Sequence, residues 1–255
     1  MKNILIIVAA GKSSRFGGFP KTFCQIGDKT NVQNTIEKAK GVFDKVYVGL
    51  NRSTYDRFAN GISGAEILSI TTGQGDAHSV LKCIDCVRDQ EKDIGKLAVC
   101  WGDAVFTSSL PFTQLIAGAG EAKAAVACTI DDNPYAWFET NESGEILRAH
   151  FAKEEENVKR GCHDQSLFLF DPEFAWLYLN KYRETLGIPY HNDESALDAN
   201  DTNEMKLLLF FEYLHNKGYN RAKCVEITAR KVLSFNTQDE LTAVKKALAS
   251  AENKM

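Results

Sequence analysis

The sequence predicts an α/β protein: one Rossmann-like, mostly parallel mixed sheet flanked by helices. Three observations carry this expectation. Strand-like and helix-like stretches alternate along most of the chain, the pattern of parallel strands joined by helical crossovers. The chain has 255 residues, 44% apolar and 25% charged, the length and composition of a globular domain with a sizeable core. No repeat, low-complexity tract or linker-like segment interrupts it, so residues 1–255 read as a single domain.

The first strand is expected at 3–8, where Ile4-Leu5-Ile6-Ile7-Val8 is continuously apolar. A short extended stretch follows at 23–26. Residues 32–43 read as a helix, because Val32, Ile36 and Ala39 recur at about one turn. A strand at 45–50, a helix at 52–59 and a strand at 65–69 come next. The loop 71–76 holds two glycines and leads into a helix at 77–87, then a buried strand at 97–101 that ends on Gly102-Asp103. A helical segment at 108–117 precedes a strand at 124–129. Segments 136–139 and 146–151 form a hairpin turning at Asn141, Ser143 and Gly144. A strand at 166–170 meets a helix opened by Asp171-Pro172, and 189–203 is a polar loop. An apolar-faced helix at 205–214 and extended runs at 224–227 and 232–235 follow. Thr237-x-x-Glu240 is a capping box for a last helix reaching about residue 250.

The formal net charge of −4 argues against general nucleic-acid binding, which favours basic surfaces. The charge is uneven: the first sixty residues are basic on balance, which suits a small polyanionic substrate, and 131–204 is acidic. The seven cysteines are scattered, and only Cys83 and Cys86 are closely spaced, without the second C-x-x-C of a zinc site. That pair reads as core packing on one helix face. Free thiols in this number point to a reducing, cytoplasmic setting. The apolar run 4–10 is short, follows only Lys2 and precedes no cleavage-site pattern, which points away from a signal peptide, and nothing approaches a membrane-spanning length.

The first strand runs into Ala9-Ala10-Gly11-Lys12-Ser13-Ser14-Arg15-Phe16, closed by Pro20-Lys21. Small residues let backbone N–H groups approach phosphate oxygens, and glycine tolerates the tight turn. Arg15 can fork onto two oxygens, and Lys21 supplies a compact point charge. Gly11-Lys12-Ser13 imitates the tail of a Walker A loop, but that motif needs a glycine where Ile6 stands. A dinucleotide fingerprint fails at Ser13 and Phe16. An ordinary strand-to-helix turn is the alternative these residues leave open. Asp103 sits where an open α/β sheet binds ligands and can hold Mg²⁺ against a triphosphate, or else cap the helix that follows. In the loop 72–80, Gly73 and Gly75 allow close backbone approach and Gln74 offers both donors and acceptors. His78 fits a packed helix residue better than a catalytic one.

The pattern Ala9-Ala10-Gly11-x-Ser13-x-Arg15 with Pro20-Lys21 resembles the signature of nucleotidyltransferases with a GT-A-like fold. These include sugar-1-phosphate uridyltransferases, choline-phosphate and other cytidylyltransferases, and molybdopterin guanylyltransferases. The resemblance runs from the N-terminal loop to Asn236, with Ser13 standing where many members carry a second glycine. It implies that the loop, with Ala9, Ala10, Gly11, Lys12 and Ser13, wraps a nucleoside triphosphate, and that Arg15 and Lys21 neutralise its phosphates. It implies Mg²⁺ on Asp103, with Asn236 as candidate second ligand, although Asn236 also suits a turn before the Thr237 cap. It implies that Gly73, Gln74 and Gly75, with Ser79 beyond, read a pyrimidine.

On the acceptor side, Lys153 resembles a phosphate-gripping lysine, or else belongs to an ordinary solvated charge run. Asp164-Gln165-Ser166 stands where sugar-specific members carry Asn-Thr-Gly, which departs from the hexosamine-phosphate pattern. The implied partners are a nucleoside triphosphate, CTP favoured, and a phosphorylated small molecule. Phosphoglutamine in a capsule pathway is one candidate. The enzyme would be a monomer or small homo-oligomer binding neither nucleic acid nor membrane. A sugar-1-phosphate uridylyltransferase, a GT-A glycosyltransferase and a non-catalytic nucleotide-binding regulator are the alternatives.

Overall fold

The computed structural model describes residues 1–11, 13, 16–71, 73–132, 134–152, 160–190, 204–219, 222–228, 232–235 and 237–252. Nine strands form the main sheet: β1 (Lys2–Val8), β4 (Lys45–Asn51), β5 (Glu66–Ile70), β6 (Ile94–Trp101), β7 (Ala124–Asp132), β8 (Ala136–Thr140), β9 (Ile146–Phe151), β10 (Arg160–Phe170) and β11 (Ala222–Glu226). A two-residue pair, β2 (Gln25–Ile26) and β3 (Lys29–Thr30), stands apart. The path across the sheet is β11-β7-β10-β6-β1-β4-β5, with β8 on β10 and β9 on β8. The pairs β6–β1, β1–β4, β4–β5 and β7–β11 are parallel, while β10 runs antiparallel to both its neighbours on the path.

The alternation of β1 explains the two-sided core. Ile4, Ile6 and Val8 join the cluster containing α3 (Asp76–Gln90), α5 (Pro172–Thr185) and α6 (Leu207–Asn216). Leu5 and Ile7 face α1 (Asn31–Ala39) and α4 (Leu110–Ala119) on the other side. All four of Ile4, Leu5, Ile6 and Ile7 are fully buried, as a central strand covered on both faces requires. The remaining helices are α2 (Arg52–Phe58) and α7 (Gln238–Glu252), the latter begun by the expected cap, with the Glu240 N–H donating to Thr237 Oγ1 at 3.2 Å.

Three boundaries differ from the sequence expectation, each for a physical reason. α1 stops at Ala39 instead of 43, because Gly41 turns the chain at φ +82°. α6 begins at Leu207 instead of 205, because the Met205 backbone is committed to the 74–77 segment: its N–H donates to the Gln74 carbonyl and its carbonyl accepts from the Ala77 N–H, both at 2.9 Å. β10 begins at Arg160, six residues before the expected start, since its polar first half pairs with the end of β7 around a bulge between Asp164 and Phe168.

Chain order places the site. β1 leads outward to β4 and β5, and the chain then returns to add β6 on the other side of β1. The carboxyl ends of β1 and β6 therefore flank the point where the winding reverses, the usual ligand crevice of an open α/β sheet.

Candidate active site

A cavity of about 570 Å³ opens at that crevice. Ala9, Ala10, Gly11, Ser13 and Lys21 line it from the loop after β1, Gly102 and Asp103 from the end of β6, and Gly73, Gln74, Gly75 and Ser79 from the start of α3. Three segments far apart in sequence thus line one cavity. Of the other residues singled out from the sequence, Lys12, Arg15, Lys153 and Asn236 lie outside the described residues.

The loop after β1 is fixed from beneath. The Ala9 N–H donates to the Gly49 carbonyl at 2.9 Å, and Asn51 Nδ2 donates to the Ala10 carbonyl at 3.0 Å while its Oδ1 caps α2. Ser13 sits at φ +47°, the left-handed region, which explains why glycine suits this position in similar chains. Its carbonyl accepts from the N–H groups of Phe16 and Gly18. Lys21 opens a short 3₁₀ turn, and its ammonium contacts the Asp103 carboxylate directly and donates to the Phe235 carbonyl at 3.2 Å. The Lys21 and Asp103 side chains remain 16% and 29% exposed, so both charges can reach a ligand.

Asp103 is aimed by its neighbours. Asn31, the fully buried first residue of α1, donates through Nδ2 to the carbonyls of both Gly102 and Ala104 at 3.0 Å. These two bonds bracket Asp103. Gly102 is required for packing, since a Cβ there would lie 2.6 Å from Thr22 Oγ1 and 2.7 Å from Ala9 Cβ. The helix-cap alternative for Asp103 does not describe this geometry, because α4 begins at Leu110 with Ser109 at its cap position. The late extended run also arrives here: Val105 and Leu233 exchange backbone hydrogen bonds of 2.7 and 3.1 Å, and Phe235, fully buried, packs on Phe16.

The opposite wall is equally constrained. A Cβ at Gly73 would lie 2.5 Å from Ser79 Oγ, and one at Gly75, at φ +98°, would lie 2.5 Å from the Met205 carbonyl oxygen. His78 is fully buried and accepts the Gln74 N–H at Nδ1, 3.2 Å away. Burial, followed by the charge of Lys82, holds its imidazole down to about 4, so it stays neutral and keeps accepting. His78 therefore shapes the Gln74 loop, in line with a packing role.

Sequence reasoning missed Asp76, Thr22, Trp101 and Glu204, which also line the cavity, and Asn31 behind it. Asp76 accepts the N–H groups of Ala77 and Leu207 at 2.6 and 2.7 Å, and burial pushes its carboxyl up to about 6. The signal for Asp76 was its place on the first turn of a helix after a glycine loop; Glu204 and Asn31 offered none. Asp164 is absent from the residues lining the cavity. Its carboxylate accepts the Ser166 N–H at 3.0 Å within the β10 bulge, and burial raises its affinity for a proton.

A family model for the MobA-like NTP transferase domain matches residues 5–169. The chain belongs to this family. It is therefore a nucleotidyltransferase of the MobA-like type, and the match covers the cavity-lining residues from Val8 to Asp103 and runs on through most of β10. Solved structures share the fold across nearly the whole chain. A nucleoside-diphosphate-sugar pyrophosphorylase from Vibrio cholerae RC9 aligns with a TM-score of 0.70 at 18% identity, covering 95% of this chain and 99% of the other. A provisionally assigned glucose-1-phosphate thymidylyltransferase from Bacillus anthracis, solved with sucrose, gives 0.68 at 14% identity, covering 96% and 95%. HddC from Yersinia pseudotuberculosis gives 0.66 at 11%, covering 97% and 99%. A search of curated proteins gives no match. Among the described residues, no helix is long and apolar enough to cross a membrane.

Proposed function

We propose that this chain transfers a nucleoside monophosphate from a nucleoside triphosphate to a phosphorylated small molecule, releasing pyrophosphate. The observation that carries this reading is the meeting of Lys21 and Asp103 at the mouth of the β1–β6 crevice, facing the Gly73–Gly75 loop across one cavity. A cation for phosphates, a carboxylate for a metal and a backbone-rich loop for a base thereby line one cavity.

The acceptor phosphate is already anionic, so it can attack the α-phosphorus without a general base. Catalysis then consists of positioning and charge neutralisation. The small residues Ala9, Ala10 and Gly11 let the backbone approach the phosphates. The four-carbon stem of Lys21 lets its ammonium move from Asp103 to a phosphate oxygen, and Arg15 adds a second cation from the same loop. Gln74, held by Met205 and His78, presents its amide to the base, while Ser79 offers a hydroxyl beside it.

Asp103 suits Mg²⁺, because its carboxylate and the nearby Phe235 carbonyl are hard oxygen donors, and Asn236 follows Phe235 directly. When bound, the ion would supply Lewis-acid stabilisation of phosphate charge.

CTP is favoured as donor, because Asp164 and Ser166 depart from the sugar-phosphate pattern; phosphoglutamine, in capsule synthesis, is one acceptor that reading admits. A sugar-1-phosphate uridylyltransferase is the second reading. Two of the similar structures, named for thymidylyl transfer to a glucose phosphate and for nucleotide-sugar pyrophosphorolysis, favour a sugar acceptor. Pyrophosphate release should be followed with Mg²⁺, each of four triphosphates and a panel of acceptors that includes sugar 1-phosphates, phosphocholine and phosphoglutamine. Release with CTP and a non-sugar phosphate is expected. Release only with UTP and a sugar 1-phosphate would select the second reading, and release with no combination would favour a nucleotide-binding regulator.

A further inference from the structure

Spacing in the sequence gives no zinc pattern, yet the sheet assembles one. Cys128 lies on β7, Cys162 on β10 and Cys224 on β11, three neighbouring strands with β7 in the middle. Cys162 pairs in register with Ile130, and Cys224 with Val126. Positions 126, 128 and 130 share one face of β7, because successive side chains alternate. The three thiols therefore project to the same side, and their sulfurs all lie within 4.8 Å of one another. Cys128 and Cys224 are buried in the cluster that includes Phe210, Phe211 and Leu214 of α6, while Cys162 is half-buried at its margin.

We propose that Cys128, Cys162 and Cys224 form a binding site for one thiophilic divalent d¹⁰ cation, of which zinc is the common biological example, held as a trithiolate. A tetrahedral ion with Zn–S bonds of about 2.3 Å sets its sulfurs about 3.8 Å apart, so the side chains need to close by about 1 Å at most. Zinc is usually four-coordinate, so three sulfurs leave one position for water or another ligand. Asp164 and Glu226 are both register partners of Cys128, so acidic residues flank the cluster on the sheet. Binding converts three thiols plus M²⁺ into an M(S-Cys)₃⁻ centre and three released protons, with no change of oxidation state. Two charges of the ion against three thiolates leave a single net negative charge, a smaller burden than a monovalent ion would leave there. The site pins β10, β7 and β11 together, and it stands apart from the nucleotide cavity, so its test does not use activity.

The test takes the full chain, reduced with a non-thiol reductant and stripped of metal, and titrates it with Cd²⁺ alone, then Zn²⁺ alone. The expected result is saturation at one Cd²⁺ per chain with a thiolate-to-metal charge-transfer band, and saturation at one Zn²⁺ per chain without that band. X-ray absorption of the Zn²⁺-loaded wild type should give three sulfur ligands at about 2.3 Å and one lighter atom. Cys162→Ser, the least buried of the three, should weaken Cd²⁺ at least tenfold and abolish the rise in Tm that Zn²⁺ gives the wild type. Cys86→Ser, on α3, should bind as wild type. A shell with fewer than three sulfurs, non-saturable binding, or wild-type affinity in Cys162→Ser would overturn the site. So would a disulfide among the three cysteines in the chain as purified.

Discussion

Asn31→Ala isolates how the fold aims Asp103. The amide of Asn31 is fully buried and serves two carbonyls, those of Gly102 and Ala104, at 3.0 Å each. Removing it leaves both carbonyls without that donor, at about 1–3 kcal/mol apiece. One offset applies: Asn31 Oδ1 has no hydrogen-bond partner among the described residues, so the substitution also removes an uncompensated buried acceptor. The net loss should be about 2 kcal/mol, read as a lower urea midpoint at unchanged slope. The same two bonds bracket the carboxylate, and a misplacement of about 1 Å can cost about 10²-fold in rate. Steady-state pyrophosphate release should show that loss in kcat, together with a raised Mg²⁺ requirement, which a merely weaker α1 would not produce. Asn31→Asp keeps the shape but not the donors, and should share both defects. A variant within about 0.5 kcal/mol of wild type, with kcat and Mg²⁺ dependence unchanged, would show that Asp103 is aimed by something else.

Lys21→Ala should lower kcat about 10²-fold or more, as loss of one transition-state donor does; wild-type kcat would remove Lys21 from the phosphate site. Gly75→Ala places a methyl 2.5 Å from the Met205 carbonyl oxygen at a backbone angle that disfavours side chains, so triphosphate affinity by calorimetry should fall and Tm with it. Glu91 accepts from Lys2, Lys45 and Tyr47 at 2.7, 2.6 and 2.7 Å, which hold its carboxyl down to about 2. Its contribution is present above the ordinary value of 4.5 and disappears as pH falls toward 2, so Glu91→Gln should be less stable than wild type at neutral pH and converge with it in acid.

The half of the site made by local sequence was legible, and the half made by long-range pairing was not. Ala9-Ala10-Gly11 and Gly102-Asp103 each end a buried strand, and strand ends can be read within a few residues. Their meeting follows from the parallel β1–β6 pairing that alternation implies. The opposite wall depends on Met205 docking against Gln74, and Asp76 and Leu207 are bonded across 131 positions. No periodicity signals such a contact. Glu204 fell between a polar loop ending at 203 and a helix expected from 205, and Asn31 stood just before a helix expected from 32. The first half of β10 escaped notice because Arg160, His163, Asp164 and Gln165 are polar, and the same oversight hid the approach of Cys162 to Cys128. His78 was read rightly as packing, but its consequence, a neutral acceptor holding the Gln74 N–H, needed the geometry.

Asp76 offers the sharpest check on the electrostatics of the cavity. Burial, more than the neighbouring charges of Glu204 and Asp164, raises its carboxyl from 3.8 to about 6. The two N–H donors it accepts oppose the shift without cancelling it. A raised acid makes the folded chain bind a proton that the unfolded chain releases, so stability from this group is greatest below about 4 and declines as pH rises to about 6. The displacement of about two units corresponds to about 3 kcal/mol of lost stability above that window. His78 works in the opposite direction over an overlapping range, because its lowered value penalises folding as pH falls from 6.5 toward 4. The raw stability profile therefore mixes the two, and the difference between wild type and Asp76→Asn separates them. The amide retains an acceptor for Ala77 and Leu207 but carries no charge. By urea unfolding, Asp76→Asn should gain up to about 3 kcal/mol over wild type at pH 8 and little at pH 4. A gap that is the same at both pH values, or that favours wild type at pH 8, would mean that the carboxylate is ionised without penalty and that solvent reaches this wall of the cavity.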